Sequence, residues 1–417
     1  MASPSDPVFS LPAAHLARIS DPIRDLLSRA PYETPQQSSV SIKSLLQSLL
    51  PPQNPQQAHR ETTNLLLCLA ALSSAASSDS PTLYWIPKPL SSAADSAFRD
   101  LSLALRFSET HQLVAALAAV VLPEIKGVIR RSCVDETEDD FTAASARAPV
   151  EEALVAAHQF RWLVSQVGYP HLGSICAMVI PCALTALDHW SPEVKEQGMH
   201  SLIHIGKNLN AAELGWYEEP ILDACCRNIA SSDELWQCVV EMSVLLLTCT
   251  QRRNPRSYWF ERILGEMLGH LERQPLNKER RIAWLLHIEP VFDAMGLVLL
   301  AHFRRIFSLF FQWMHADDDR TVLLVMQRLH SIIKLTWIRK SPYIDRLVDE
   351  LILLYKEAAT RKSREVIRSH ILHMLIFLQK SKGLQFEMSW KKHENDPDLT
   401  QLISSFAELP IETPMNG

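Results

Sequence analysis

Two histidine pairs stand at spacings that chemistry can use: His200 with His204, and His370 with His373. Residues three or four apart share one face of a helix, so each pair could offer two imidazoles to a metal ion. A zinc site normally takes three or four protein ligands, and we see no further cysteine or acid that completes either set. The expectation is no metal site, with imidazoles part-buried at repeat boundaries. Other reaction signatures are missing. The sequence has no Gly-rich phosphate loop of either standard kind, no GxSxG elbow and no HExxH helix. We expect a chain that is not an enzyme, with no catalytic residue, no cofactor and no small-molecule substrate.

The eight cysteines, from Cys68 to Cys249, fall mostly on apolar helical faces and form no CxxC pair. They read as reduced core residues. The first twenty residues show no basic segment followed by an apolar one, and no Asn-X-Ser/Thr sequon occurs. Both point to a cytoplasmic and nuclear chain. Residues 135–140 read DETEDD, a solvated loop in the plainer reading and an acidophilic-kinase site at Thr137 or an acidic docking peptide in the other.

Charge narrows the partners. Between Arg339 and Lys392 twelve Lys/Arg face six Asp/Glu, a local balance of +6, and Arg252, Arg253 and Arg256 form a second cluster. The whole chain is net −6, so a basic surface is a patch and not a global field. It could meet an acidic protein as well as a phosphodiester backbone, and we expect no nucleic acid.

What must position these side chains is a run of helices. Only 11 of 417 residues are glycine, 47% are apolar, and strand-like alternation of Val, Ile and Thr is almost absent. Helix starts recur: Ser191-Pro192-Glu193, Asn210 with Glu213 as a capping box, Ser231 with Glu234, Asn254-Pro255, Asn277, Asp317 and Ser341-Pro342. Alternate starts at 191, 231, 277 and 317, with one near 361, are about 40 to 46 residues apart, the period of HEAT or armadillo-like helix pairs. Leu235, Cys238, Met242, Leu245 and Cys249 form one apolar stripe, and Met326, Leu329, Ile333 and Trp337 another. A single hairpin cannot bury such stripes, so the pattern predicts an all-α fold, an α-solenoid of stacked hairpins.

Four regions are expected: an irregular helical N-terminal region over 1–132, an acidic linker over 133–148, helical repeats over 149–383, and a tail over 384–417 with a short capping helix. In the first, helices are expected near 11–30, 41–50, 58–75, 92–107 and 109–131. The stretch from Trp162 to Leu187 carries no Asp, Glu, Lys or Arg, but Gly168-Tyr169-Pro170-His171 and Pro181 break it below bilayer-spanning length. It predicts a buried helix and no membrane. Pro290 should kink or restart the helical pattern from Ile282 to Met295.

Tryptophan is dense for a helical chain, and most of it must be core. Trp216-Tyr217-Glu218-Glu219 is the exception we expect, because adjacent aromatics on a helix point different ways and the acids mark a wet rim. For a partner interface anchored by aromatics and arginines, the candidates are Trp216 and Tyr217 in one patch and Trp337, Arg339, Tyr343, Tyr355 and Arg364 in the C-terminal repeats.

Three segments suggest a family. KEQGMHSLIHIGKNLNAAEL at 195–214 holds a K-x-x-G-x-x-x-L-x-H-I run on Lys195, Gly198, Leu202, His204 and Ile205. IEPVFDAMG at 288–296 has a proline-broken helix, at Pro290, that ends at Gly296. Lys334-Leu335-Thr336-Trp337-Ile338-Arg339 is a Thr-Trp-x-Arg helix end. Together, over about residues 170–380, they resemble the TEL-two-interacting protein two family. The resemblance implies the smallest solenoid subunit of the Triple T co-chaperone complex. That complex works with the ninety-kilodalton heat-shock chaperone in maturation and stability of phosphatidylinositol-three-kinase-related kinases, and so supports DNA-damage signalling. The implied partners are the larger solenoid subunits, with chaperone and kinases met indirectly. The alternative from the residues is an importin-like or other cargo-binding adaptor, though the tryptophans do not fall at the matched positions such a groove uses.

Overall fold

The computed structural model describes residues 10–35, 38–52, 58–77, 80–133, 148–230 and 233–407. Among the described residues every regular element is a helix. The chain forms two compact units, Met1–Asn228 and Ile229–Gly417.

The first unit holds α1 (Ala13–Arg29), α2 (Ile42–Ser48), α3 (Ala58–Ser74), α4 (Lys88–Ala104), α5 (Thr110–Arg131), α6 (Val150–Ser165), α7 (Cys176–Leu187), α8 (Pro192–Asn208), α9 (Ala211–Gly215) and α10 (Glu218–Asn228). Helices α3 with α4, α5 with α6, and α7 with α8 pack as hairpins. Helices α3, α6 and α8 form one layer, while α5, α7 and α10 follow one another in a second. Each stripe is therefore buried by neighbours on two sides. Helix α5 is long and apolar enough by composition to cross a bilayer. Its stripe from Leu113 to Ile129 is instead buried in this unit, where it packs on α6 and α7. Within the uncharged stretch 162–187 the apolar side chains Trp162, Leu163, Val164, Val179, Ile180 and Leu187 are buried, while Tyr169 in the break is exposed. The stretch runs from the end of α6 through a break at Gly168, a cis Tyr169–Pro170 bond and a 3-10 turn, then into α7. Gly198 lets α7 and α8 approach closely, since a Cβ there would lie 3.0 Å from Ala186 Cβ and 3.1 Å from the Leu187 nitrogen.

The second unit holds α11 (Asp233–Gln251), α12 (Tyr258–Arg273), α13 (Lys278–His287), α14 (Glu289–Met295), α15 (Phe303–Met314), α16 (Asp319–Leu335), α17 (Ile344–Glu357), α18 (Arg364–Lys382), α19 (Leu384–Trp390) and α20 (Thr400–Ala407). Here α11, α13, α16 and α18 form one layer, and α12, α15, α17 and α19 the other. This is the HEAT/armadillo-like stack of hairpins that the period predicts. A polar ladder joins successive repeats of the first layer. Asp233 at the start of α11 pairs with Arg280 of α13. Arg281 reaches Asp318, the N-cap of α16, at 2.5 Å. Asp319 accepts from the Ser363 N–H at 2.9 Å, just before α18, and pairs with Arg361. Each acid sits where helix N-terminal N–H groups favour negative charge, and a neighbouring repeat supplies the cation or donor.

Several starts differ from expectation. The Asn210–Glu213 capping box forms, and Asn277 caps α13 by accepting from the Arg280 N–H. Ser191 stands at the N-cap of α8 without a side-chain cap. Asn254-Pro255 begins a turn, and Ser257 caps α12 in its place, because its hydroxyl meets the Trp259 N–H. Asp318, one residue beyond Asp317, caps α16, and Ser341 binds the Tyr343 N–H three residues ahead of α17. Ser231 and the 135–140 acidic run with Thr137 lie outside the described residues. Pro290 restarts the chain as α14, which ends at Gly296 with φ +52°, a value glycine adopts at little cost.

The compact units do not divide at 133–148: α5 and α6, on either side of it, pack as a hairpin, and the division falls between Asn228 and Ile229. In the tail, α19 packs on α17 and α18, and α20 on α18.

Candidate interaction surface

The histidine pairs are engaged. In the first unit, His204 Nε2 donates to the Val167 carbonyl at 2.9 Å, and His200 lies 3.8 Å from Glu196, an acid one turn earlier that the sequence reading passed over. In the second, His370 and His373 line an open cleft of about 420 Å³ with Glu289, Arg328 and His330. Burial would raise the Glu289 carboxyl, but hydrogen bonds from Ser331 and Arg328 hold it below its ordinary range. Burial and the Lys334 charge hold His330 down, so it favours the neutral form. Among the described residues no three or more His, Cys, Asp or Glu converge as a metal site.

The candidate partner residues separate by burial. In the first unit Trp216 is 88% exposed at the C-cap of α9, with half-buried Tyr217 beside it. In the second, Trp337 and Arg339 are exposed in the turn that ends α16, and Arg364 is exposed at the start of α18, paired with Glu365 at 2.8 Å. Tyr343 is half-buried, its ring stacked on Phe307 at 4.7 Å between centroids. Tyr355 is a correction. It is 5% exposed, and Arg368 lies over its ring at 4.4 Å, so it belongs to the core and not to a free surface.

Sequence reasoning missed three exposed apolar residues of the second unit. Ile338 follows Trp337 and is exposed, as are Leu384 and Met388 on α19. The signal was there: in LQFEMSW, Phe386 and Trp390 are one i,i+4 pair and Leu384 and Met388 another, offset by two residues and hence on the opposite face. Only one pair can be buried, and it is the aromatic one.

No family model matches the chain. Over 403 residues it is 50% identical to the Uncharacterized protein At2g39910 of Arabidopsis thaliana, covering 92% of each. The chain belongs to the At2g39910 family. This At2g39910-family chain is also similar to human TELO2-interacting protein 2, 22% identical over 216 residues, which are 48% of the chain and 42% of the human protein. Among solved structures, an engineered protein gives a TM-score of 0.44 at 12% identity, covering 95% of this chain and 98% of that one. Kap121p gives 0.31 at 10%, covering 94% and 47%. Neither score bears on the fold, which rests on the helices themselves.

Proposed function

We propose that this helical scaffold is the smallest, non-catalytic subunit of a Triple T type co-chaperone complex. It works with the ninety-kilodalton heat-shock chaperone in the maturation and stability of phosphatidylinositol-three-kinase-related kinases, in the cytoplasm and nucleus. The observation that carries this reading is the similarity over 216 residues to human TELO2-interacting protein 2, a protein named for a partner. The fold supports it in kind. Stacked hairpins bury their own stripes and leave helix ends and turns exposed, suited to holding another protein and not to surrounding a reacting atom. The chain clasps a larger helical-repeat subunit through Trp337, Arg339, Tyr343 and Arg364, with Trp216 and Tyr217 as a second contact.

The test is gentle purification of the tagged chain from its own cells. Two larger helical-repeat proteins at near-stoichiometric amount, with the chaperone in lesser amount, are expected. Recovery of the chain alone, or with transport cargo or nucleic acid, overturns the assignment and leaves the fold untouched.

A further inference from the structure

Two exposed apolar pairs stand on neighbouring segments, one in the turn that ends α16 and one on α19. Trp337 and Ile338 are 58% and 55% exposed, and Leu384 and Met388 are 72% and 69% exposed. Lys382 fixes one against the other: its Nζ donates to the carbonyls of Thr336, Trp337 and Arg339 at 3.2, 3.1 and 2.7 Å. Gln385 adds a 2.7 Å bond to the Ser341 carbonyl. Gly383, with φ +46°, makes the sharp corner that brings Leu384 round to this turn. The segments that carry the two pairs are thus tied together. Single exposed apolar side chains need no explanation, but a cluster with a polar rim marks a binding site.

The rim is basic. Arg339 and Lys340 follow the first pair and Lys391 follows the second, all exposed and without an ion-pair partner among the described residues. Lys392, the neighbouring cation, is already held by Asp345 and Asp349. Free cations around an apolar centre select carboxylates that flank apolar anchors. Glu387 decides between classes of partner. It is exposed on α19 and flanks the Leu384 and Met388 face, so an extended anionic lipid surface or a phosphodiester backbone laid over the patch would meet a like charge at its edge. A protein segment can place one cation there.

We infer that Trp337, Ile338, Leu384 and Met388, with Arg339, Lys340 and Lys391 around them, dock an acidic amphipathic segment of a protein partner. This deepens the scaffold reading, on which it rests for the presence of a partner, by naming one face and the chemistry that face takes.

The probes for the full chain are a synthetic amphipathic Leu/Glu peptide of about 18 residues, long enough to form a helix, its Leu/Lys counterpart, and vesicles of phosphatidylcholine with phosphatidylserine. The Leu/Glu peptide is expected to bind. Ile338→Glu with Leu384→Glu, both exposed and so harmless to folding, should weaken it by about tenfold or more. Arg339→Glu with Lys340→Glu should weaken it similarly and gain binding to the Leu/Lys peptide. Equal binding of both peptides by the wild type, no change in either variant, or stronger capture by the vesicles overturns the proposal. The same variants in the co-purification separate the two readings. Larger subunits retained by both variants would remove this face as their dock and leave the complex standing, whereas peptide binding without co-purifying subunits would leave the face standing and remove the complex.

Discussion

Lys382 Nζ lies 2.7 Å from the carbonyl oxygen of Arg339, a residue one repeat earlier, and with its other two protons it meets the carbonyls of Thr336 and Trp337. All three ammonium donors are used, on groups that the end of α16 leaves without intrahelical partners. A cation is favoured there by the helix dipole as well. The Lys382 side chain is half-buried, and that burial alone pulls its pKa down. Lys382→Met should cost about 2 kcal/mol, since hydrogen bonds to a charged group are worth more than neutral ones. Hydrogen exchange should quicken at residues 337–341. Unchanged protection in that turn would show that Lys382 does not hold it.

A buried tie of the ladder should matter more than an exposed ion pair within one helix. Arg281 is 7% exposed and is held by Asp318 at 2.5 Å and by the Thr321 hydroxyl at 3.0 Å, while Asp318 also caps α16 through the Thr321 N–H. Asp318→Ala leaves a buried guanidinium unpaired and a helix uncapped, at an expected cost of about 3 kcal/mol or more. Asp223, in the first unit, pairs with Arg227 at the surface, and Asp223→Ala should cost about 0.5 kcal/mol or less. Denaturant unfolding of the two variants gives the comparison, and similar losses would refute the ranking.

The elements were legible because helical periodicity and scarce glycine are local signals. The 40-to-46-residue spacing followed from caps alone, and the ladder shows its physical counterpart: an acid in the first turn of a helix, as at Asp233, meets its cation 47 residues on, at Arg280. What was not legible depends on partners distant in sequence. Tyr355 looked like a surface anchor until Arg368, on the next helix, covered it. Asn254-Pro255 and Ser257 are both good caps, and only the fold assigns the turn to one and the helix to the other. Composition marked 133–148 as a boundary, yet the packing of α5 on α6 runs across it. Leu384 and Met388 were readable from spacing but hidden by a search for aromatic anchors.

Burial separates anchors from core in a way that mutation can check. Tyr355→Ala removes a covered ring, and about 3 kcal/mol of stability should go with it. Trp216→Ala and Trp337→Ala remove exposed rings, so each should stay within about 0.5 kcal/mol of the parent. A loss at Trp216 or Trp337 as large as that at Tyr355, in thermal or urea unfolding, would mean that these side chains are packed.

His189 predicts how the first unit responds to acid. Its Nδ1 accepts the Ser191 N–H at 3.0 Å, so the neutral ring carries its proton on Nε2 and donates to Ser132 Oγ at 2.9 Å. The Ser132 hydroxyl in turn donates a hydrogen bond to the Ile129 carbonyl at 3.0 Å. Protonating Nδ1 would turn an acceptor against a backbone donor at the N-cap of α8. Burial, with the Lys195 charge adding to it, lowers the His189 pKa from 6.5 to about 4. The unfolded chain therefore binds this proton first as pH falls. The stabilisation is whole above about pH 6.5 and is lost progressively towards pH 4, an amount of about 3 kcal/mol at most. His189→Asn keeps an acceptor two residues before the Ser191 N–H but does not titrate. Its stability should fall less steeply than that of the parent between pH 7 and pH 4.5. Parallel pH profiles for the two proteins would place the acid sensitivity of this unit in other groups.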